Sequence, residues 1–221
     1  MSWTVCLDPG HGGRDPGAVS GNLQEAPTAY DIALRVLRIL EHNNSEDVEV
    51  KLTRGPNEDP PQSARAYHSN AVGADIFVSI HCNAAESKKA RGFEFIIAPM
   101  SEEADKLADC LEAAFLDTLE EIIPPRNPAV KYDTQLGRGL GFKLTVLRKT
   151  EAPAVLVETG FVTSKDDRMI LESIPGREKI AFAIAEGILD YLTLYKGGQN
   201  NGDKEKSDDK EGGDEDKEGG G

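Results

Sequence analysis

The sequence predicts an α/β layered domain, and two observations carry that prediction. Short apolar segments alternate with stretches of helical period, and several of the strand segments are apolar at every position, as strands buried on both faces are. The unusual polar residues also fall at strand ends, where ligands gather in open α/β sheets.

The elements follow in chain order. Trp3 to Leu7 is an apolar run that stops at Asp8-Pro9-Gly10, a buried strand entering a turn. Ala29, Ala33, Val36, Leu37 and Leu40 recur at helical spacing, which predicts a helix from Ala29 to Asn43 with Pro27 in or just before its first turn. Val48, Val50 and Leu52 alternate with Glu49 and Lys51, a half-buried strand. A short helix is expected at Ser63 to Val72, a buried strand at Ile76 to Ile80, and another at Gly92 to Ile97. Ser101 to Ile123 reads as a long helix with a serine cap, and Glu102, Glu103 and Asp105 sit near its positive end. Leu144 to Leu147 and Ala154 to Val157 read as apolar strands. Ser164-Lys165-Asp166-Asp167 has the form of a capping box, and Ile180 to Leu194 closes the domain as an amphipathic helix.

Two units are expected, a catalytic domain over residues 1–196 and an acidic, Gly-rich tail over residues 197–221. The tail has eight glycines, nine acids and four lysines and lacks aliphatic and aromatic side chains, so it has nothing to bury against ordering entropy. The whole chain has 221 residues, with 25 Lys and Arg against 39 Asp and Glu, a formal charge of −14. That balance disfavours nucleic acid, whose binding needs clustered cations. No run approaches the ~18 apolar residues of a membrane span. Met1 to Asp8 has neither a basic n-region nor an apolar h-region, so no signal peptide is read there. Three scattered cysteines, Cys6, Cys82 and Cys110, make no disulfide framework.

Three strand ends hold the candidate chemistry. Asp8-Pro9-Gly10-His11-Gly12-Gly13 is a tight turn around one histidine, with Glu25 farther on; Ser79-Ile80-His81-Cys82-Asn83 ends a second strand; Val157-Glu158-Thr159-Gly160 ends a third. A carboxylate directly after an apolar strand is costly to bury unless it is paired or bound to metal. Two imidazoles and one carboxylate with an open fourth position form a catalytic zinc arrangement, and a remaining carboxylate would accept a proton from water. Alternation turns Cys82 away from the face that His81 uses, so Cys82 and Cys6 read as buried thiols. His42 reads as a partner of its helix C-terminus and His68 as a packing or surface residue.

Leu-Asp-Pro-Gly-His-Gly-Gly (7–13), Glu25, Leu52-Thr53-Arg54, Arg65 with Asn70, Val-Ser-Ile-His-Cys-Asn-Ala (78–84), Gly92-Phe93-Glu94 and Pro-Ala-Val-Leu-Val-Glu-Thr-Gly-Phe (153–161) stand in order along the chain. With these segments the sequence resembles the zinc-dependent N-acetylmuramoyl-L-alanine amidases of cell-separation enzymes, sporulation lysins and phage endolysins, over roughly Thr4 to Leu192. The resemblance implies a six-stranded sheet flanked by helices. It implies His11, Glu25 and His81 as Zn²⁺ ligands and Glu158 as the catalytic carboxylate. The implied reaction is hydrolysis of the amide between the lactyl group of N-acetylmuramic acid and L-alanine of the peptidoglycan stem peptide.

Ala26-Pro27-Thr28 departs from the family's usual helix start, and Asp15, four residues from His11, is a rival ligand. Thr163-Ser164 replaces a usual Ser-Asn and keeps a helix cap. Ser101 to Gln135 is too short for both a core helix and the plugging helix of some members, so an open cleft is expected. The tail resembles a linker to a C-terminal wall-binding domain. A phage endolysin held in the cytoplasm until release, or a trimmed domain of an exported autolysin, both fit the start at Met1. Two other readings of the same residues stay open: a different zinc peptidase or amidohydrolase acting on stem peptides, and a non-catalytic wall-binding protein of this fold.

Overall fold

The computed structural model describes residues 2–43, 47–136 and 143–196, so the expected acidic tail over residues 197–221 lies outside the described residues. In chain order the elements are β1 (Trp3–Pro9), a hairpin of β2 (Val19–Ser20) and β3 (Leu23–Gln24), α1 (Glu25–Asn43), β4 (Val48–Leu52), α2 (Gln62–Ala71), β5 (Ile76–Asn83), β6 (Phe93–Ile97), α3 (Glu102–Leu119), β7 (Pro125–Tyr132), α4 (Thr145–Lys149), β8 (Ala154–Phe161), α5 (Lys165–Glu172) and α6 (Ile174–Tyr191). A six-stranded sheet runs β4-β1-β5-β8-β6-β7. Its neighbours are parallel except for β6 against β8, a mixed sheet of the kind the resemblance implies.

Strand alternation gives the sheet two unlike faces. Val5, Leu7, Val78, Ile80, Val155 and Val157 point to the main core, which the apolar sides of α1, α3 and α6 cover. Phe93, Phe95 and Phe115 meet edge to face within it, at centroid distances of 5.1 to 5.8 Å. Cys6, Phe77, Ile96 and Leu156 point the other way into a smaller cluster with Val146 and Leu147 of α4. Steps of two residues along these strands on that second face reach Asp8, Ser79, His81, Glu94 and Glu158. A cleft of about 640 Å³ opens on this side.

Four local expectations need correction. Leu144 to Leu147 is not a strand; Leu144 precedes α4, whose Val146 and Leu147 are buried. A four-residue apolar run carries no period to separate strand from helix. The buried Asp133 decides the outcome, accepting from the Leu144 amide at 3.0 Å and from Arg148 Nε at 2.9 Å. The sixth strand is instead β7, whose two prolines hide it in the sequence and suit its place at the sheet edge. α1 starts at Glu25, ahead of Ala29, because a helix's first amides need no partner and Pro27 costs nothing there. α6 likewise starts at Ile174, where Ser173 caps the Gly176 amide at 3.0 Å.

Ser164 caps α5 by accepting from the Asp167 amide, but the reciprocal half of a capping box is missing. The Asp167 carboxylate instead accepts from the amides of Gly92 at 2.8 Å and Phe161 at 3.1 Å, tying the start of α5 to β6 and β8. Between Ser101 and Gln135 the chain holds α3, β7 and a single 3₁₀ turn, with no plugging helix.

Candidate metal centre

Where β1 ends, the chain turns against the ring of His81. A Cβ on Gly10 would lie 2.3 Å from His81 Cε1, so only glycine lets the main chain pass. His11 itself adopts the left-handed region with φ 54°, an uncommon conformation for a residue with a side chain. Two buried guanidiniums hold it there. Arg65 donates to the carbonyls of Pro9 and His11, both at 2.7 Å, and to Asp8 Oδ1 at 2.9 Å. Arg54 donates to the Pro9 carbonyl at 2.8 Å and, through one nitrogen, to those of Gly10 and Ala26 at 3.0 Å. The ligand turn is thereby stitched to the first turn of α1. Asp8 also accepts from Thr53 Oγ1 at 2.5 Å and Ser79 Oγ at 2.6 Å, so the buried pair is fully hydrogen-bonded, the condition under which burial of charge is tolerated.

The first residue of α1 completes the site. Glu25 Oε1 lies 2.9 Å from His81 Nδ1, and Oε2 lies 3.2 Å from His11 Nε2. The two carboxylate oxygens also accept from the amides of Cys82 at 3.1 Å and Ala18 at 2.8 Å. One donor atom from each of His11, Glu25 and His81 falls within 4.8 Å of the others, a group able to hold a metal ion. A Cβ on Gly17 would meet Glu25 Oε2 at 2.6 Å, so main chain walls the donors on this side too.

Asp15 is not among these donors. Its Oδ2 accepts from His11 Nδ1 at 2.7 Å, on the far side of the ring, which leaves Nε2 toward Glu25. That is the partner a metal-bound imidazole usually has.

The electrostatics suit a cation. Burial alone would push the Glu25 carboxyl up, but hydrogen bonds from both imidazoles and the Ala18 amide hold it well below the usual carboxylate range. The Glu25 hydrogen bond raises the His11 imidazole to about 9 against the opposing effect of burial, with Asp15 adding to the rise. Burial would lower the His81 imidazole, yet Glu25 and the charge of Glu158 raise it. A carboxylate that stays ionised between two imidazoles is a place for a positive charge, and a metal ion competes there with protons. The donor set of two nitrogens and one carboxylate oxygen, without thiolate, fits zinc with one position left for water.

Glu158 stands opposite His81 on β5 and opposite Glu94 on β6, and its side chain lines the cleft with His11, Glu25 and His81. Cys82 turns away as alternation requires, its sulfur 3.5 Å from Thr159 Oγ1, and burial pushes its thiol up. Cys6 is also a buried free thiol, pushed up to about 12 by burial. His42 is exposed at the end of α1 and His68 is half-buried in α2; neither joins the site.

Sequence reasoning singled out no role for Asp8, Ser79, Arg54 or Arg65. A lone buried acid and two arginines in separate segments have no spacing that reveals them as one network. Arg126 and Lys131, which flank Glu94, were missed because β7 was.

No described helix is long and apolar enough to cross a membrane. Residues 5–190 match the family model described as N-acetylmuramoyl-L-alanine amidase. The endolysin of Bacillus phage SPP1 is 33% identical over 213 residues, covering 95% of this chain and 73% of that one. The N-acetylmuramoyl-L-alanine amidase AmiA of Escherichia coli is 29% identical, covering 86% of this chain and 76% of that one. Among solved structures, N-acetylmuramoyl-L-alanine amidase AmiC2 of Nostoc punctiforme superposes with a TM-score of 0.75 at 32% identity, covering 86% of this chain and 97% of that one. A match over nearly the whole described fold, with relatives of this extent beside it, places the chain in the N-acetylmuramoyl-L-alanine amidase family.

Proposed function

We propose that this amidase cuts peptidoglycan with a zinc ion held by His11, Glu25 and His81 and with Glu158 as its proton carrier. The observation that carries the reading is the meeting of three donor atoms within 4.8 Å. Glu158 lies one strand away from them on the same face. Lewis acidity is what a bound zinc ion supplies there, bringing water to a pKa near ~7 and polarising an amide carbonyl.

The chain's own residues do the rest. Glu158 accepts the proton of the attacking water and then delivers it to the departing amine of L-alanine, so one carboxylate serves as base and acid in turn. Asp15 holds the His11 ring with Nε2 turned inward, and the Glu25 amide contacts hold that carboxylate in its bridging pose. Arg54 and Arg65 keep the turn that presents His11. The bond cut is the lactyl–L-alanine amide, and the glycan chain is left intact.

The test is Glu158→Gln with zinc content measured by mass spectrometry alongside product analysis of digested walls. Zinc is expected to stay near one per chain while turnover falls ~10²–10⁴-fold, the usual range for a general acid–base group. Wild-type products are expected to be intact stem peptides with a free L-alanine amine. Retained turnover, or cuts inside the stem peptide, would overturn the assignment.

A further inference from the structure

At the margin of the cleft, next to the lining residue Glu94, stands an arginine whose charge is not used up among the described residues. Glu94, buried on β6, is shared by three partners: Asn83 Nδ2 donates to it at 2.8 Å, Lys131 pairs with it closely, and Arg126 Nε lies 3.5 Å away. One carboxylate between two cations leaves one positive charge over. The Arg126 guanidinium is also seated over the Phe161 ring, 5.3 Å from its centroid. It is thus positioned from two sides, yet among the described residues no atom accepts a hydrogen bond from it. Its side chain is 37% exposed, open enough to take a ligand.

Its placement gives this surplus charge a use. Glu94 is the register partner of Glu158, and Lys131 stands opposite Ile96 on the same face, so the group flanks Glu158 on the side away from His11 and His81. Besides Glu94, the described acidic side chains lining the cleft are Asp8, Asp15, Glu25, Asp59 and Glu158; among the described lining residues Arg65 is the one arginine or lysine, and its hydrogen bonds are already spent on Asp8 and main-chain carbonyls. The substrate is charged on one side only. The muramic acid carboxyl is consumed in the amide to be cut, whereas the stem peptide carries free carboxylates.

We propose that Arg126 is a specificity-determining residue that receives a carboxylate of the stem peptide, namely the α-carboxylate of the residue after L-alanine, which is free where that residue is joined to the next through its side-chain carboxyl. Its guanidinium presents paired donors that match a carboxylate, and Glu94 and Phe161 keep it in place. The peptide then lies toward β6 and β7, and the glycan toward the other end of the cleft. The proposal rests on the amidase reading above.

Two soluble muropeptides that differ only in this group, free acid against α-amide, test both. Wild-type enzyme is expected to cut each, with a KM ~10-fold lower for the acid, a gap that narrows as salt is raised. Arg126→Met and Arg126→Gln are expected to raise KM for the acid ~10-fold, leaving kcat within ~2-fold and the amide substrate unchanged. Arg126→Lys is expected to fall between, since it keeps charge but loses the fork. Equal KM values for the two substrates in the wild type, or a loss common to both in the variants, would overturn the proposal without touching the amidase reading. The wild-type comparison decides even if a variant folds poorly. Failure to cut either substrate would remove the amidase reading and this proposal together.

Discussion

Two arginine–carboxylate pairs, one lining the cleft and one at its margin, are built to opposite specifications. Arg65 and Asp8, with side chains 5% and 2% exposed, spend their hydrogen bonds on each other, on Thr53 and Ser79, and on the carbonyls of the His11 turn. Arg126 and Glu94 sit beside Glu158 with the guanidinium 37% exposed and unbonded among the described residues. The first pair has its hydrogen bonds satisfied within the described structure, so it acts as framework and fixes the backbone that presents His11. The second pair is incomplete, so it has capacity to spend on something that arrives. Saturation of its hydrogen bonds, rather than nearness to the site, separates a supporting charge from a binding one.

The comparison can be broken or sharpened in order of effect. Arg65→Met should do the most damage, because Asp8 would stay buried with its main partner gone. A loss of about 3–5 kcal/mol is expected by urea unfolding. A loss below about 1 kcal/mol would mean that the pair is no framework at all. Asp15→Asn tests the metal end more gently. Asp15 is half exposed, so folding should hold while zinc affinity falls ~10–100-fold in a chelator competition. Unchanged affinity would remove Asp15 as the residue that orients His11.

Asp133 anchors the connection beyond β7, and its effect depends on pH. Burial would raise its carboxyl, but Arg148 and the Leu144 amide hold it below the ordinary value. A depressed folded pKa means the stabilisation is complete above the unfolded value of about 3.9 and fades as pH falls through the folded one. Asp133→Asn should therefore cost about 1–3 kcal/mol near neutrality and progressively less in acid. A pH-independent difference would contradict the pairing. The smallest effect concerns the surface: with a formal charge of −14, sedimentation with purified anionic walls should be weak at low salt and improve as salt is added.

The residues of the candidate site were the most legible part of the chain. His81 and Glu158 follow apolar runs within β5 and β8, where a polar side chain is conspicuous, and the Gly-rich turn singles out His11. Glu25 was legible only through the family resemblance. Ala26-Pro27-Thr28 leaves the start of α1 at Glu25, because Pro27 fits a first helical turn, and the carboxylate reaches both imidazoles. β7 was illegible because Pro125 and Pro128 argue against a strand, while Arg126 and Lys131 interrupt its apolar pattern. The α4 segment was misread because what shapes it is Asp133, which lies outside the short run being read. Networks such as Asp8 with Arg65 join residues distant in sequence, and no local period encodes them.

The glycines at positions 10 and 17 have a practical consequence for redesign. Main chain pressed against an imidazole and a carboxylate cannot rotate aside as a side chain does, so even alanine at either position would displace a donor. Libraries aimed at retargeting this enzyme are best kept away from that rigid half. The partly exposed sheet margin carrying Arg126 and Lys131 offers room for variation while the catalytic apparatus stays in register.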